Sequence, residues 1–112
     1  MFRDPPMHSP LEIDVTTAAL LLRNGALLLD VREPSEVAIC AIAGSRFIPM
    51  RQIAENLPDL PRDRPILVLC HVGGRSRLVT RFLRANGFPQ ASNVAGGIDA
   101  WAEQIDPALA RY

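Results

Sequence analysis

Two short, uninterrupted apolar runs constrain this chain more than any other feature. Residues 26–31 read Ala-Leu-Leu-Leu-Asp-Val and residues 66–69 read Ile-Leu-Val-Leu, each bounded by turn-forming residues. Such runs are too short for independent helices, and they lack the polar alternation of a strand with one wet face. They read as strands buried on both sides, which requires helices packed over both faces of one sheet. A length of 112 residues gives room for one core of this kind, so the expectation is a single domain and not a multi-domain enzyme.

The rest of the chain supplies matching elements. Residues 1–10 read as a loose, proline-rich lead-in, and the domain proper is expected over 11–112. Leu11, Ile13 and Val15 alternate with Glu12 and Asp14 as in a short strand; Thr16 or Thr17 can cap a helix running to Asn24, and Gly25 suits its C-terminal turn. Pro34 fits the first turn of a short helix carrying Ser35, Glu36 and Val37. Residues 46–49 read as a brief strand, 52–57 as a short helix and 58–65 as a turn-rich connection. From 76 to 86, Leu78, Val79, Phe82, Leu83 and Ala85 mark one helical face, with Arg77, Arg81 and Arg84 largely on the other, and Gly87 closing the helix. Residues 91–95 form a weak strand, Gly96-Gly97 a turn and 98–105 a helix striped by Ile98, Trp101, Ala102 and Ile105. The stretch after Pro107 is expected to be irregular. Alternating strands and helices without internal repeats predict an α/β domain around a mostly parallel sheet. Ligands of such sheets bind beyond the carboxyl ends of the strands near a switch point, which directs attention to Cys70 and to Asp30-Val-Arg32.

Charge narrows the chemistry. Twelve cations balance twelve acids, and every cation is arginine. Schiff-base catalysis and a Walker-type phosphate lysine are therefore excluded. Zero net charge gives no diffuse field for nucleic acid or an acidic membrane, so an anion must be held at a site. Two cysteines thirty residues apart match neither a disulfide scaffold nor a zinc site, which suits a reducing compartment. With no run of signal-peptide or membrane-span character, the expectation is a cytoplasmic, soluble protein.

Cys70 carries the sharpest chemical signal. The segment Cys70-His-Val-Gly-Gly-Arg-Ser76 follows a buried strand and precedes an amphipathic helix. Gly73 and Gly74 free the backbone to curl, so that amide N–H groups from His71 through Val72 to Ser76 can converge on one point as an anion cradle. The helix N-terminus adds its positive dipole end, and the Arg75 guanidinium adds a full charge. All three favour a thiolate over an ordinary thiol of pKa about 8.5. The alternative is a buried, inert cysteine beside glycines that only turn the chain.

Three motifs in this order resemble the rhodanese-homology family: Asp30-Val-Arg-Glu33 with Glu36, the loop from Cys70 to Ser76, and Gly96-Gly-Ile-Asp-Ala-Trp101. The resemblance spans about Ile13 to Trp101 and implies a five-stranded, mostly parallel sheet flanked by helices on both faces. It also implies sulfur transfer. Cys70 would take a sulfane sulfur from thiosulfate or a similar donor as a persulfide and pass it to cyanide, a thiol or a sulfur-carrier protein, with no metal and no organic cofactor. Loop N–H groups would stabilise the anion, Arg75 would hold the loop's charge and shape, and Asp30 and Arg32 would be supporting groups. Cysteine-dependent phosphatases place five residues between cysteine and arginine to encircle a phosphate, whereas four intervene here, which ranks phosphatase or arsenate reductase lower. A catalytically silent module that only binds partners is the remaining alternative, and its usual sign, loss of the loop cysteine, is absent. Relatives commonly carry a second histidine where Val72 stands, and Gly-His-Ile-Pro-Gly-Ala where this chain has Cys40-Ala-Ile-Ala-Gly-Ser45.

Other residues divide between roles. His71 either meets an anionic substrate and assists proton movement or only shapes the loop rim. Cys40 reads as a small apolar filler, with a resolving thiol as the alternative. Asp30, Arg32, Glu33 and Glu36 read as an ion-pair network before they read as substrate contacts. Trp101 reads as core, and Arg77, Arg81 and Arg84 as a solvated face that could also dock an acidic partner.

Overall fold

A computed structural model describes residues 10–112. The expected lead-in lies outside them except for Pro10, whose carbonyl accepts from Ser92 Oγ at 2.6 Å. In chain order the elements are β1 (Glu12–Ile13), α1 (Val15–Arg23), β2 (Leu27–Asp30), α2 (Pro34–Ile39), β3 (Arg46–Phe47), β4 (Ile66–Leu69), α3 (Gly74–Ala85), β5 (Ala91–Val94) and α4 (Gly97–Gln104). The five strands form one sheet in the order β1-β5-β4-β2-β3, with every pair parallel.

Strand alternation explains why the two apolar runs have no polar face. Leu27, Leu29, Val31, Ile66, Val68 and Cys70 point to one side, where they meet Ile53, Leu60, Val79, Leu83 and Phe88. Leu28, Leu67, Leu69 and Val94 point to the other, against Val15 and Ala18 of α1 and Ile98 and Trp101 of α4. One period-2 pattern thus feeds two cores. Trp101 belongs to the second, 6% exposed.

Local chemistry moves several boundaries. Asp14, and not Thr16 or Thr17, caps α1: its side chain accepts from Thr17 N–H at 2.8 Å, so the helix starts at Val15 and β1 shrinks to two residues. The helix expected over 52–57 is instead two short 3-10 helices, Met50–Gln52 and Ala54–Asp59. Pro58 lies inside the second and has no N–H to donate one α-turn back, which leaves the tighter hydrogen bonds Asn56 N–H to Ile53 O and Leu60 N–H to Leu57 O. α3 begins at Gly74 and α4 at Gly97, each earlier than the apolar stripe alone implies.

The strand order places the topological switch between β2 and β4. From β2 the chain steps outward to β3, and from β4 it steps the opposite way to β5. β2 and β4 are paired from Leu27–Ile66 to Asp30–Leu69, so their carboxyl ends are level. Asp30, Arg32 and Cys70 therefore emerge side by side. Asp30 and Arg32 are 1% and 0% exposed, and the Arg32 guanidinium reaches the Asp30 carboxylate through Nε at 2.9 Å and Nη2 at 2.7 Å. Its remaining protons go to Glu36 O, Cys40 O and the Tyr112 hydroxyl, which ties the end of β2 to α2. Removing one partner of a buried pair strands the other charge. Asp30→Ala is expected to cost about 3–5 kcal/mol in urea denaturation, against less than about 0.5 kcal/mol for Leu20→Ala on the exposed side of α1.

Candidate active site

Cys70 is 1% exposed, and its sulfur sits in a turn that delivers three donors to it. Gly73 N–H lies at 3.1 Å, Ser76 Oγ at 3.2 Å and Ser76 N–H at 3.4 Å. Gly73 makes this turn possible with φ of 115°, in the left-handed region. Gly74 contributes nothing comparable, being the first residue of α3, with no positive φ and with open space where a Cβ would stand. The cradle is thus narrower than the sequence suggests: among the described residues, the N–H groups that donate to sulfur are those of Gly73 and Ser76.

Burial pushes the Cys70 thiol up, as it does any group whose charged form loses water. The hydrogen bonds from Ser76 Oγ, Ser76 N–H and Gly73 N–H, with the Arg75 charge behind them, outweigh it and set the thiol below its ordinary value. Arg75 is the smallest of these contributors because its guanidinium turns aside, holding Glu36 through two bonds of 2.6 and 2.9 Å. That bidentate clasp fixes the flank of the loop to α2. Glu36 also accepts from Glu33 N–H at 3.0 Å at the start of α2 and from the Tyr112 hydroxyl at 2.8 Å.

The loop is also held from beneath. Ile98 N–H donates to Cys70 O at 2.9 Å and Asp99 N–H to His71 O at 3.1 Å, so the first N–H groups of α4 take the carbonyls that flank the sulfur. This closeness explains the glycine pair ahead of Trp101: a Cβ on Gly97, at φ of 59°, would fall within 2.4–2.5 Å of the Cys70 and His71 carbonyl oxygens. Asn93 of β5 adds a third hold. Its Nδ2 donates to Gly73 O at 3.0 Å and to Glu12 Oε1 at 2.8 Å, and Glu12 in turn pairs with Arg77.

Of the remaining residues singled out in the sequence, Val72 is 60% exposed on the rim and His71 is half-buried with its ring stacked on Tyr112. Asp30 and Arg32 bond each other, backbone carbonyls and, through Arg32, the Tyr112 hydroxyl, and neither donates to the sulfur. Cys40 is half-buried among apolar groups of the α1/α4 face. The arginines of α3 do not form a uniformly solvated face, since Arg77 pairs with Glu12 and Arg84 donates to Ala91 O. Sequence reasoning misses Asn93 and Tyr112: Asn93 looks like a polar interruption of a weak strand, and Tyr112 falls in a stretch with no periodicity. Among the described residues no group of three His, Cys, Asp or Glu could hold a metal, and no helix is long and apolar enough to cross a membrane. An apolar groove of about 260 Å³ between the 3-10 helices and α3 is lined by none of the loop residues from Cys70 to Ser76.

A loop of this build at the carboxyl end of the central strand agrees with sequence comparison, in which the model of the rhodanese-like domain matches residues 14–104. The chain belongs to the rhodanese-like domain family. It is 34% identical over 84 residues to a sulfurtransferase of Allochromatium vinosum, covering 75% of this chain and 78% of that one. It is 38% identical over 91 residues to the chloroplastic rhodanese-like/PpiC domain-containing protein 12 of Arabidopsis thaliana, covering 78% of this chain but only 30% of that protein. Among solved structures, a rhodanese-related protein from Thermoplasma volcanium superposes with a TM-score of 0.77 at 33% identity, over 84% of this chain and 92% of the other. The rhodanese-like fold, with its parallel five-stranded sheet, is thus common to this chain and its relatives.

The Glu36 clasp makes stability depend on acid. Its hydrogen bonds with Arg75 hold the carboxyl down to about 2 from 4.5, although burial opposes this. A carboxyl depressed in the folded state contributes stability that is complete above the unfolded value and is lost as pH falls from about 4.5 towards about 2. Because Arg75 is partly solvated, the contribution is expected to be on the order of 1 kcal/mol. Urea denaturation between pH 7 and pH 2.5 should show this slope, and Glu36→Gln should flatten it.

Proposed function

We propose that this rhodanese-like chain is a sulfurtransferase that carries sulfane sulfur on Cys70, with thiosulfate or a similar anion as donor. The observation that supports this most is the set of three donors on a buried sulfur whose thiol is set below its ordinary value. In the first step the Cys70 thiolate attacks the outer sulfur of thiosulfate. A new S–S bond forms, the bond from that sulfur to the sulfonate breaks, and sulfite leaves with the electron pair. Cys70 then holds a persulfide anion. In the second step cyanide or a thiolate attacks the outer sulfur, and the bonding pair returns to Cys70 as the thiolate. No proton or electron is left over when cyanide is the acceptor and thiocyanate the product.

Each residue has a part in this scheme. Gly73 N–H and the Ser76 hydroxyl and N–H hold negative charge on sulfur, a preorganised arrangement that needs no adjustment when charge develops. Arg75, clasped by Glu36, keeps the loop's shape and contributes field. Asp30 and Arg32 support the strand end beneath it. No metal or organic cofactor enters either step. The acceptor in the cell would be a small thiol or a sulfur-carrier protein in a reducing cytoplasm, with neither nucleic acid nor membrane as partner.

The deciding experiment is mass measurement of the intact protein after incubation with thiosulfate, followed by addition of cyanide and assay of thiocyanate. The wild type should gain one sulfur atom and release it, and Cys70→Ser should do neither. Ser76→Ala, which removes one hydroxyl hydrogen bond from a charged sulfur, should lower turnover roughly tenfold. A wild type that gains no sulfur, or a Cys70→Ser protein that turns over normally, overturns the proposal. Phosphate release from an aryl phosphate, lost in the same variant, would instead favour the phosphatase.

A further inference from the structure

The stretch after α4 is irregular, yet three separate anchors lay it across the site. Ala108 N–H and Leu109 N–H donate to the Asp106 carboxylate and carbonyl, which turns the chain, and Leu109 packs against the apolar cluster of the α1/α4 face. Arg111 pairs with Asp99 in the first turn of α4, the residue whose N–H holds His71 O. Tyr112 then lies at the loop itself. Its ring stacks on the His71 ring with centroids 4.0 Å apart and planes 12° from parallel. Its hydroxyl donates to Glu36 Oε2 at 2.8 Å and accepts from Arg32 Nη1 at 3.1 Å.

These contacts put an aromatic ring against the residue that follows Cys70. The sulfur is closed by the turn from Gly73 to Ser76 on one side and by the N-terminus of α4 below. Around the loop stand His71, Val72, Glu36, Arg75 and Tyr112: Val72 is 60% exposed, Tyr112 stacks on His71, and Glu36 joins Tyr112 to Arg75. The first four sit on the loop, α2 or the first turn of α3, and each is committed to that element. Tyr112 comes from a segment that makes no ladder with the sheet. It is 38% exposed, so it can be altered without opening the core. Burial, together with Glu36, raises its phenol to about 12, against the opposing pull of Arg32, so it remains a donor at neutral pH.

We infer that Tyr112 is a specificity-determining residue of the Cys70 site: its ring, seated on His71, narrows the mouth and favours small anions and small thiols over bulky ones. The inference rests on the proposed reading only in taking Cys70 as the reactive sulfur. Its test therefore uses alkylation, which needs a reactive thiol and no sulfur transfer. Rates of Cys70 modification by iodoacetamide and by fluorescein maleimide are followed by peptide mapping, so that Cys40 is counted apart, in wild type, Tyr112→Ala and Tyr112→Phe.

In Tyr112→Ala the ratio of the bulky to the small rate should rise at least roughly fivefold, while Tyr112→Phe, which keeps the ring and loses both hydrogen bonds, should retain the wild-type ratio. With sulfur loaded, Tyr112→Ala should likewise shift kcat/KM towards glutathione and away from cyanide. An unchanged alkylation ratio in Tyr112→Ala overturns the inference. So does an equal rise in both variants, because that would assign the effect to the Glu36 and Arg32 hydrogen bonds. A wild type that alkylates at Cys70 but never gains sulfur defeats the proposed activity and leaves the alkylation ratio as the judge of the ring's role.

Discussion

Everything at the site depends on the level pairing of β2 with β4. Parallel strands joined by long crossovers bring together residues far apart in the chain, and here the register from Leu27–Ile66 to Asp30–Leu69 ends both strands at the same height. Val31 N–H still donates to Leu69 O at 2.9 Å, so Arg32 and Cys70 leave the sheet together. A slip of one residue would exchange the two cores and turn Cys70 from the α3 face to the α4 face. The apolar runs make that exchange costly, since Leu29 and Val68 on one side and Leu28 and Leu67 on the other are all 2% exposed or less.

Above that edge the loop divides its backbone groups by direction. Its carbonyls point away from the sulfur and are met by other parts of the fold: Cys70 O and His71 O by α4, and Gly73 O by Asn93. The N–H groups of Gly73 and Ser76 are thereby left to face the sulfur. A ring of backbone dipoles around an anion works only if the oxygen ends are satisfied elsewhere, and in this chain a helix N-terminus and a buried amide supply that. The local charge comes chiefly from fixed dipoles and one hydroxyl, with Arg75 serving first as a clasp.

How much of this is legible in the sequence follows the distance between partners. The buried strands and the Cys70 loop are local patterns, and the structure contains both; the α3 stripe holds only in part, since Val79 and Leu83 are buried with Ser76 and Thr80 while Leu78 and Phe82 are exposed. The α1 cap is misplaced by sequence because Asp14, Thr16 and Thr17 are all competent capping residues within one turn, and local sequence does not rank them. The 3-10 helices read as α because Pro58 stands just beyond the expected end, where a proline ordinarily stops a helix and does not reshape one. The clasp of Arg75 by Glu36 joins residues 39 apart, and the Tyr112 contacts span 76 and 80. No periodicity encodes such meetings; they follow from the strand order and the return of the chain after α4. Asn93 is hidden differently, since a polar residue in a buried strand announces a partner without naming it.

The many attachments of Glu36 have a further consequence. One carboxylate accepts from the start of α2, clasps Arg75 and receives the Tyr112 hydroxyl. The entry to α2, the flank of the sulfur loop and the seat of the stretch after α4 are thus not independent parts of the molecule. Substitutions at any two of these points will combine non-additively, because the second acts on a carboxylate that the first has already released. Variation in this part of the fold is therefore constrained to move as a set, with the acid at its centre the least replaceable member.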